Sequence, residues 1–185
     1  DLEDLQTKIA QADVLMLSHM RGHICDMDHL MKICEQAGVR VIEDCAHTMG
    51  AKWRETWSGR HGVVGFYSTQ TYKHINSGEG GFLVTDDADV MAKAVMLSGS
   101  YMLYDRHIAA PVASHYDDIR YHTPNVSGRM DHLRAAILRP QLANLQAQAQ
   151  AWNMRYKAVE AALAHTPGLK LISRPKEESY VGSSI

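Results

Sequence analysis

Cysteine is scarce in this 185-residue chain: there are three, Cys25, Cys34 and Cys45, with no scaffold-like spacing. That excludes a disulfide-built miniprotein and points to free thiols in a reducing compartment. Proline is limited to five residues and phenylalanine to two, and low-complexity sequence is confined to a short Gln/Ala stretch at 146–151, so collagen-like and disordered classes are excluded. A surplus of either charge is also missing. Nineteen Lys and Arg face 21 Asp and Glu, a formal charge of −2, so neither nucleic acid nor an anionic membrane is an expected partner. No apolar run approaches the roughly 18 residues that a membrane-spanning helix requires. The chain opens on Asp1-Leu-Glu-Asp-Leu5 without Met, so the expectation is no signal peptide, a cytoplasmic location and a start partway through a longer protein.

What is present is a globular composition with 45% hydrophobic residues and 11 His. A short apolar run at 12–18 predicts a buried strand. Asp26 then caps a helix that Gly38 ends, with Leu30, Met31, Cys34 and Ala37 on its apolar stripe. A second strand over 39–44 completes a βαβ unit, which belongs to a parallel sheet. Further strands are expected at 63–68 and 81–85, followed by a helix capped by Asp86 or Asp87. Residues 99–125 read as a loop with at most a short helix. From 129 to 165 the pattern is helical, with Leu133, Ile137, Leu142, Leu145 and Ala149 as its apolar face and Pro140 as the point of kink or division. A strand at 169–172 and an unpacked tail from Ser173 close the reading. The fold class is α/β, and the domains expected are 1–128 as a large domain, 129–165 as a connecting helix and 166–185 as the start of a smaller one.

Two stretches carry the chemistry. Asp44 ends a parallel strand, the edge where open α/β sheets bind ligands. Lys73 lies in a loop between two strands, after Ser68 and before Gly78-Glu79-Gly80-Gly81. Alone, Asp44 reads as well as a capping carboxylate, and Lys73 reads as a solvated loop lysine. Together they offer a carboxylate for a pyridinium nitrogen, an amine for a Schiff base and a hydroxyl for a phosphate, which is what pyridoxal 5′-phosphate needs.

These motifs, Glu43-Asp44-Cys45-Ala46-His47, Ser68 with Lys73, and Gly78-Glu79-Gly80-Gly81, resemble those of the DegT/DnrJ/EryC1/StrS family of sugar aminotransferases. The resemblance implies a partial large domain of the three-layer PLP-dependent transferase fold (fold type I), with a long helix leading into a truncated small domain. It implies that Lys73 forms the Schiff base and shuttles a proton, that Asp44 holds the pyridine nitrogen, that His47 contacts the ring near its 3-oxygen and that Ser68 binds the phosphate. Arg129-Met130 with Ala135-Ala136 is similar to a later family element whose Asn reaches the partner subunit's cofactor. Asn125 and Ser127 are the candidates here, and a homodimer is the implied assembly. The implied reaction takes an amino group from glutamate to a keto or aldehyde sugar, nucleotide-linked or a free sugar acid, with Tyr101, Tyr104, Arg106 and His107 as the region to search for sugar contacts. Two other readings stand beside it. One is a protein of this fold that binds without transaminating. The other is a metal-binding α/β domain built on His19, His23, Cys25, His29, Cys34, Cys45 and His47, although no zinc-type spacing occurs.

Overall fold

The computed structural model describes residues 1–99 and 103–184. Its centre is a four-stranded sheet in the order β1 (Val14–Ser18), β2 (Arg40–Asp44), β5 (Val64–Ser68), β6 (Gly81–Val84). The first two pairings are parallel and the last antiparallel. Between β1 and β2 runs α2 (Met27–Ala37), as the βαβ reading requires. Asp26 accepts from the His29 N–H, and Gly38 ends the helix in the left-handed region at φ 69°. The stripe that turns inward is Met27, Leu30, Ile33 and Cys34, whereas Ala37 is exposed. These side chains meet Val39, Val41 and Trp53 in the main core, with α1 (Leu2–Lys8) against its margin.

β1 is not the buried strand its composition suggests. It pairs on one side only, so Leu15 and Leu17 pack against the core while Met16 is 61% exposed. The loop before β5 lies so close to that strand that a Cβ built on Gly65 would stand 2.3 Å from the Gly59 Cα. Two short strands that the sequence pattern conceals, β3 (Lys52–Trp53) and β4 (Thr56–Trp57), form a second, antiparallel sheet with β7 (Glu178–Ser179). The tail is therefore packed, and residues 169–172 form no strand. The polar sequence around β7 disguises its anchors. Val181 enters the main core, and the buried Glu178 carboxylate accepts from the Ile24 N–H and from Arg174.

α3 (Ala88–Gly99) is capped by Asp87, which accepts from the N–H groups of Asp89 and Val90. Its apolar side packs on Tyr116, from one of three 3₁₀ turns at Tyr104–Arg106, Ala113–Tyr116 and Ile119–Tyr121. The long helical region is two helices, α4 (His132–Ala143) and α5 (Leu145–Leu163). The break falls at Asn144 and not at Pro140, which α4 passes through. Asn144 turns its amide back to donate to the Pro140 carbonyl at 3.0 Å. The break offsets the two helices, so the expected stripe does not run through both. Leu138 and Leu145 face a small core with Met49 and Ile75, while Leu133, Ile137 and Leu142 are exposed.

A Gly65→Ala substitution should push the 58–62 loop off β5. Overpacking against backbone costs on the order of 1–3 kcal/mol, so the urea midpoint should fall; an unchanged midpoint would show that the loop shifts freely.

Candidate functional site

Ser18, Asp44 and Ser68 end three adjacent strands, at the edge where parallel sheets present ligand groups. Strand geometry sends neighbouring side chains to opposite faces, so Glu43 and Asp44 diverge. Asp44 Oδ1 accepts from the Ala46 N–H at 3.0 Å, and Oδ2 has only a 3.3 Å contact from the Ser18 hydroxyl. That leaves the carboxylate with room to accept another N–H.

Glu43 goes the other way and is fully buried. Its Oε2 accepts from Gly59 N–H at 2.9 Å and stands 3.0 Å from His19 Nε2. Its Oε1 accepts from His61 and Gly62 N–H, both at 2.7 Å. Burial pushes this carboxyl up, but His19 and the Gly62 and Gly59 N–H groups outweigh it and hold its pKa below the ordinary value. The sequence reading passed over Glu43 as part of a motif. The signal was the pairing of two acids in a strand, which forces one of them inward.

The His19, Glu43 and Cys45 ligand atoms lie within 4.8 Å of one another, the one group of this kind among the described residues. Burial, then the Glu43 charge, pushes the Cys45 thiol up to about 12, and the Glu43 oxygens already accept from three backbone N–H groups and stand against His19.

The lysine loop extends the β5–β6 pair. Thr69 N–H donates to the Gly80 carbonyl and Thr71 N–H to Gly78, while Lys73 N–H donates to Gln70. Ile75 anchors the loop in the core beside Leu138. From α4, Gln141 reads the Asn76 backbone twice: its Oε1 accepts from N–H at 2.9 Å and its Nε2 donates to the carbonyl at 2.7 Å. Thus fixed, Lys73 Nζ stands 2.9 Å from His47 Nε2. Burial, then the charges of Lys73 and Arg21, holds the His47 pKa below its usual value, so the ring is neutral and its Nε2 can accept from the ammonium. The next residue, His74, places Nε2 2.9 Å from the Ser183 hydroxyl and its ring edge-on to Trp152. A cavity of about 460 Å³ is lined by Arg21, His47, Lys73, His74, Trp152 and Ser183. A larger cleft of about 1040 Å³, beside Cys25 and His29, contains none of Asp44, His47, Ser68 or Lys73.

The Ser68 hydroxyl accepts from Gln70 N–H at 3.2 Å and keeps its proton to donate. Asn125 and Ser127 lie elsewhere, at the end of α3. Asn125 Oδ1 accepts from Ser127 N–H at 2.7 Å, and no hydrogen bond joins either to Lys73, Asp44, His47 or Ser68. Of the residues named for sugar contacts, Tyr101 lies outside the described residues. Tyr104 is stacked on Tyr116, and Arg106 and His107 are exposed. Asp44 and Ser68 thus share one sheet edge, while the Lys73 amine stands beside His47 in a cavity that neither of them lines. A carboxylate with spare acceptor capacity, a donor hydroxyl and an amine are donor types that fit pyridoxal phosphate.

Comparison with known proteins shows the family. The chain belongs to the DegT/DnrJ/EryC1/StrS aminotransferase family, whose model matches residues 1–184. It is 46% identical over 76 residues to an L-glutamine:scyllo-inosose aminotransferase of Streptomyces griseus, a match covering 41% of this chain and 18% of that protein. It is 30% identical over 164 residues to a dTDP-3-amino-3,4,6-trideoxy-alpha-D-glucose transaminase of Streptomyces venezuelae, covering 85% and 38% respectively. The fold matches S. venezuelae DesV, crystallised with a ketimine intermediate, at a TM-score of 0.82 and 25% identity over 99% of this chain and 46% of that one. This is the fold of the PLP-dependent sugar aminotransferases, and the chain spans less than half the length of each of these relatives.

Two predictions concern the buried groups. Glu43→Gln turns an acceptor into an N–H facing N–H donors and should cost on the order of 3–5 kcal/mol. In the native protein the Glu43 contribution is complete above the ordinary pKa of 4.5 and is lost as pH falls through its lower folded value. Melting curves from pH 7 to 3 check both points. His74 is pushed down to about 4 by burial, then by His47 and Lys73. Its ring should titrate near pH 4 by NMR, and the stability it contributes, full above 6.5, should erode as pH falls from 6.5 towards 4.

Proposed function

We propose that this chain is the central part of a PLP-dependent aminotransferase that moves an amino group from glutamate to a keto or aldehyde sugar. The acceptor is nucleotide-linked or a free sugar acid. The observation that carries the reading is Lys73 Nζ, fixed 2.9 Å from a His47 whose pKa is held below its usual value, with His47 three residues after the strand-end Asp44. The relatives' names support the substrate class, since one acts on scyllo-inosose and another makes a dTDP-linked amino sugar. A second reading of the donor, glutamine in place of glutamate, is favoured by the name of the Streptomyces griseus protein.

Bound pyridoxal phosphate supplies an aldehyde carbon that takes up amino groups and a ring that withdraws electrons from the carbon next to nitrogen. Lys73 Nζ would hold that carbon and, as a free amine, would carry the proton to and from the donor's α-carbon. His47 Nε2 accepts from Nζ and keeps it aimed. Asp44 would accept from the pyridine N–H and its charge would keep that proton in place. Ser68 would donate to the phosphate. Asn125 or Ser127 would reach the neighbouring subunit's cofactor in a homodimer, a role compatible with the exposed position of both. The domain division at 128/129 and 165/166 and a cytoplasmic setting belong to the same reading, the latter supported by three unpaired thiols.

The test is to load the protein with pyridoxal phosphate, reduce with borohydride and map the labelled peptide. Label should fall on Lys73, and Lys73→Ala should lose both label and transamination; a variant that still transaminates overturns the assignment. Asp44→Asn removes a charge-assisted contact worth about 1.5–3 kcal/mol, so kcat/KM should fall at least about tenfold with little change in melting temperature. Equal losses in the two would assign Asp44 a structural role. A protein that takes the label but never converts the cofactor to its amine form with glutamate or glutamine would be a binding protein of this fold.

A further inference from the structure

The C-terminal tail delivers one side chain to the residue beside Lys73. Asn153 grips the tail from α5: its Oδ1 accepts from Gly182 N–H at 2.7 Å and its Nδ2 donates to the Tyr180 carbonyl at 3.0 Å. Gly182 runs so close to α5 that a Cβ built on it would stand 2.6 Å from Tyr156 Cβ. With Val181 buried in the main core, the place of Ser183 is set by its neighbours on the chain. Its hydroxyl stands 2.9 Å from His74 Nε2, and it lines the cavity of about 460 Å³ that also holds Lys73.

The direction of that hydrogen bond follows from the other side of the ring. Burial keeps His74 neutral, so the imidazole carries one N–H. Nδ1 is buried and has no partner among the described residues. A proton on Nδ1 would be an orphaned donor, which folded proteins rarely tolerate, whereas an unshared lone pair is met more often. The proton therefore sits on Nε2 and is donated to Ser183 Oγ, with the ring held edge-on against Trp152. Ser183 accepts and keeps its own proton, and its hydroxyl makes no other hydrogen bond among the described residues. Thr71, on the same lining, has already given its proton to the Gly78 carbonyl.

We propose that Ser183 donates a hydrogen bond to a hydroxyl oxygen of the sugar acceptor, and that His74 is a positioning residue that turns the Ser183 proton into the cavity. The proposal rests on the assignment of Lys73 and on the substrate class given above. An anion is held by charged donors, and a neutral O–H adds little to it. The same O–H suits an uncharged polyol. A site built to bond a substrate hydroxyl also rejects an analogue that lacks it, which makes Ser183 a residue of specificity.

The experiment follows the cofactor's absorbance through two separate steps. Glutamate or glutamine converts the PLP-loaded protein to its amine form, and scyllo-inosose or a dTDP-linked keto sugar, the two acceptor types named above, returns it. Ser183→Ala should raise the apparent Kd of the acceptor about 3- to 10-fold more than that of the amino acid, the factor for one neutral hydrogen bond. His74→Leu should act alike and add nothing in the double variant, since both remove one contact. His74→Gln, which keeps an N–H donor, should recover most of the loss. Independently of turnover, ¹⁵N NMR of histidine-labelled protein should show His74 protonated on Nε2 and bare at Nδ1 at pH 7. A proton on Nδ1 overturns the proposal, as does an acceptor Kd that Ser183→Ala leaves unchanged. Equal rises for acceptor and amino acid overturn it too, and assign the hydroxyl to the shape of the cavity. A native protein that the amino acid converts but neither acceptor returns overturns the sugar reading, and one that takes no borohydride label on Lys73 overturns the site; this inference falls with either.

Discussion

The buried Glu43 carboxylate is the interaction on which the rest of the site depends. A charge without solvent survives only where donors surround it, and here three backbone N–H groups and one imidazole do so. Those donors come from two segments of irregular chain, one after β1 and one before β5. Their convergence on a single side chain of β2 ties both to the central strand. Because Asp44 is the next residue, the same strand that anchors these loops inward presents the site carboxylate outward. Structure and chemistry thus alternate along two consecutive positions.

Asp44 is readable as a strand end and Lys73 as a loop residue between β5 and the Gly78–Gly81 turn, and the structure brings His47 and Lys73 into contact. The βαβ unit, the Asp26 and Gly38 caps and the strand β6 follow from local patterns, whereas the antiparallel pairing of β6 with β5 does not. What local pattern conceals is set by partners far away in the chain. β3 and β4 have two residues each, too short for any periodicity to register. The tail looked unpacked because its anchors are a glutamate and a single valine. The helix break was assigned to Pro140, yet a proline costs a helix one donor, while Asn144 offers the backbone a competing hydrogen bond.

The lysine is positioned by indirect means. Nothing in the loop from Ser68 to Gly81 forms regular structure between its strands, and its rigidity is borrowed. Ile75 gives it a foothold in the core, and Gln141 supplies both a donor and an acceptor to one peptide of the backbone. An amide side chain suits this task because it matches a peptide group in geometry as well as in polarity. Next to this clamp, His74 and Trp152 form a wall between two helical and loop elements, and the neutrality of both histidines keeps the lysine from facing further positive charge.

The Glu178 carboxylate bonds the Ile24 N–H across 154 residues of chain, and Gln141 reaches Asn76 across 65. Contacts of such separation close only after the entropy of the intervening loop has been spent. The parallel sheet, with its nearby partners, can therefore organise while the C-terminal part of the chain is still being synthesised. The lysine loop acquires its clamp only once α4 is present, and the second sheet its third strand only once β7 arrives. Fixing the lysine is in this way a later event than building the sheet, reserved for a chain that has already reached α4.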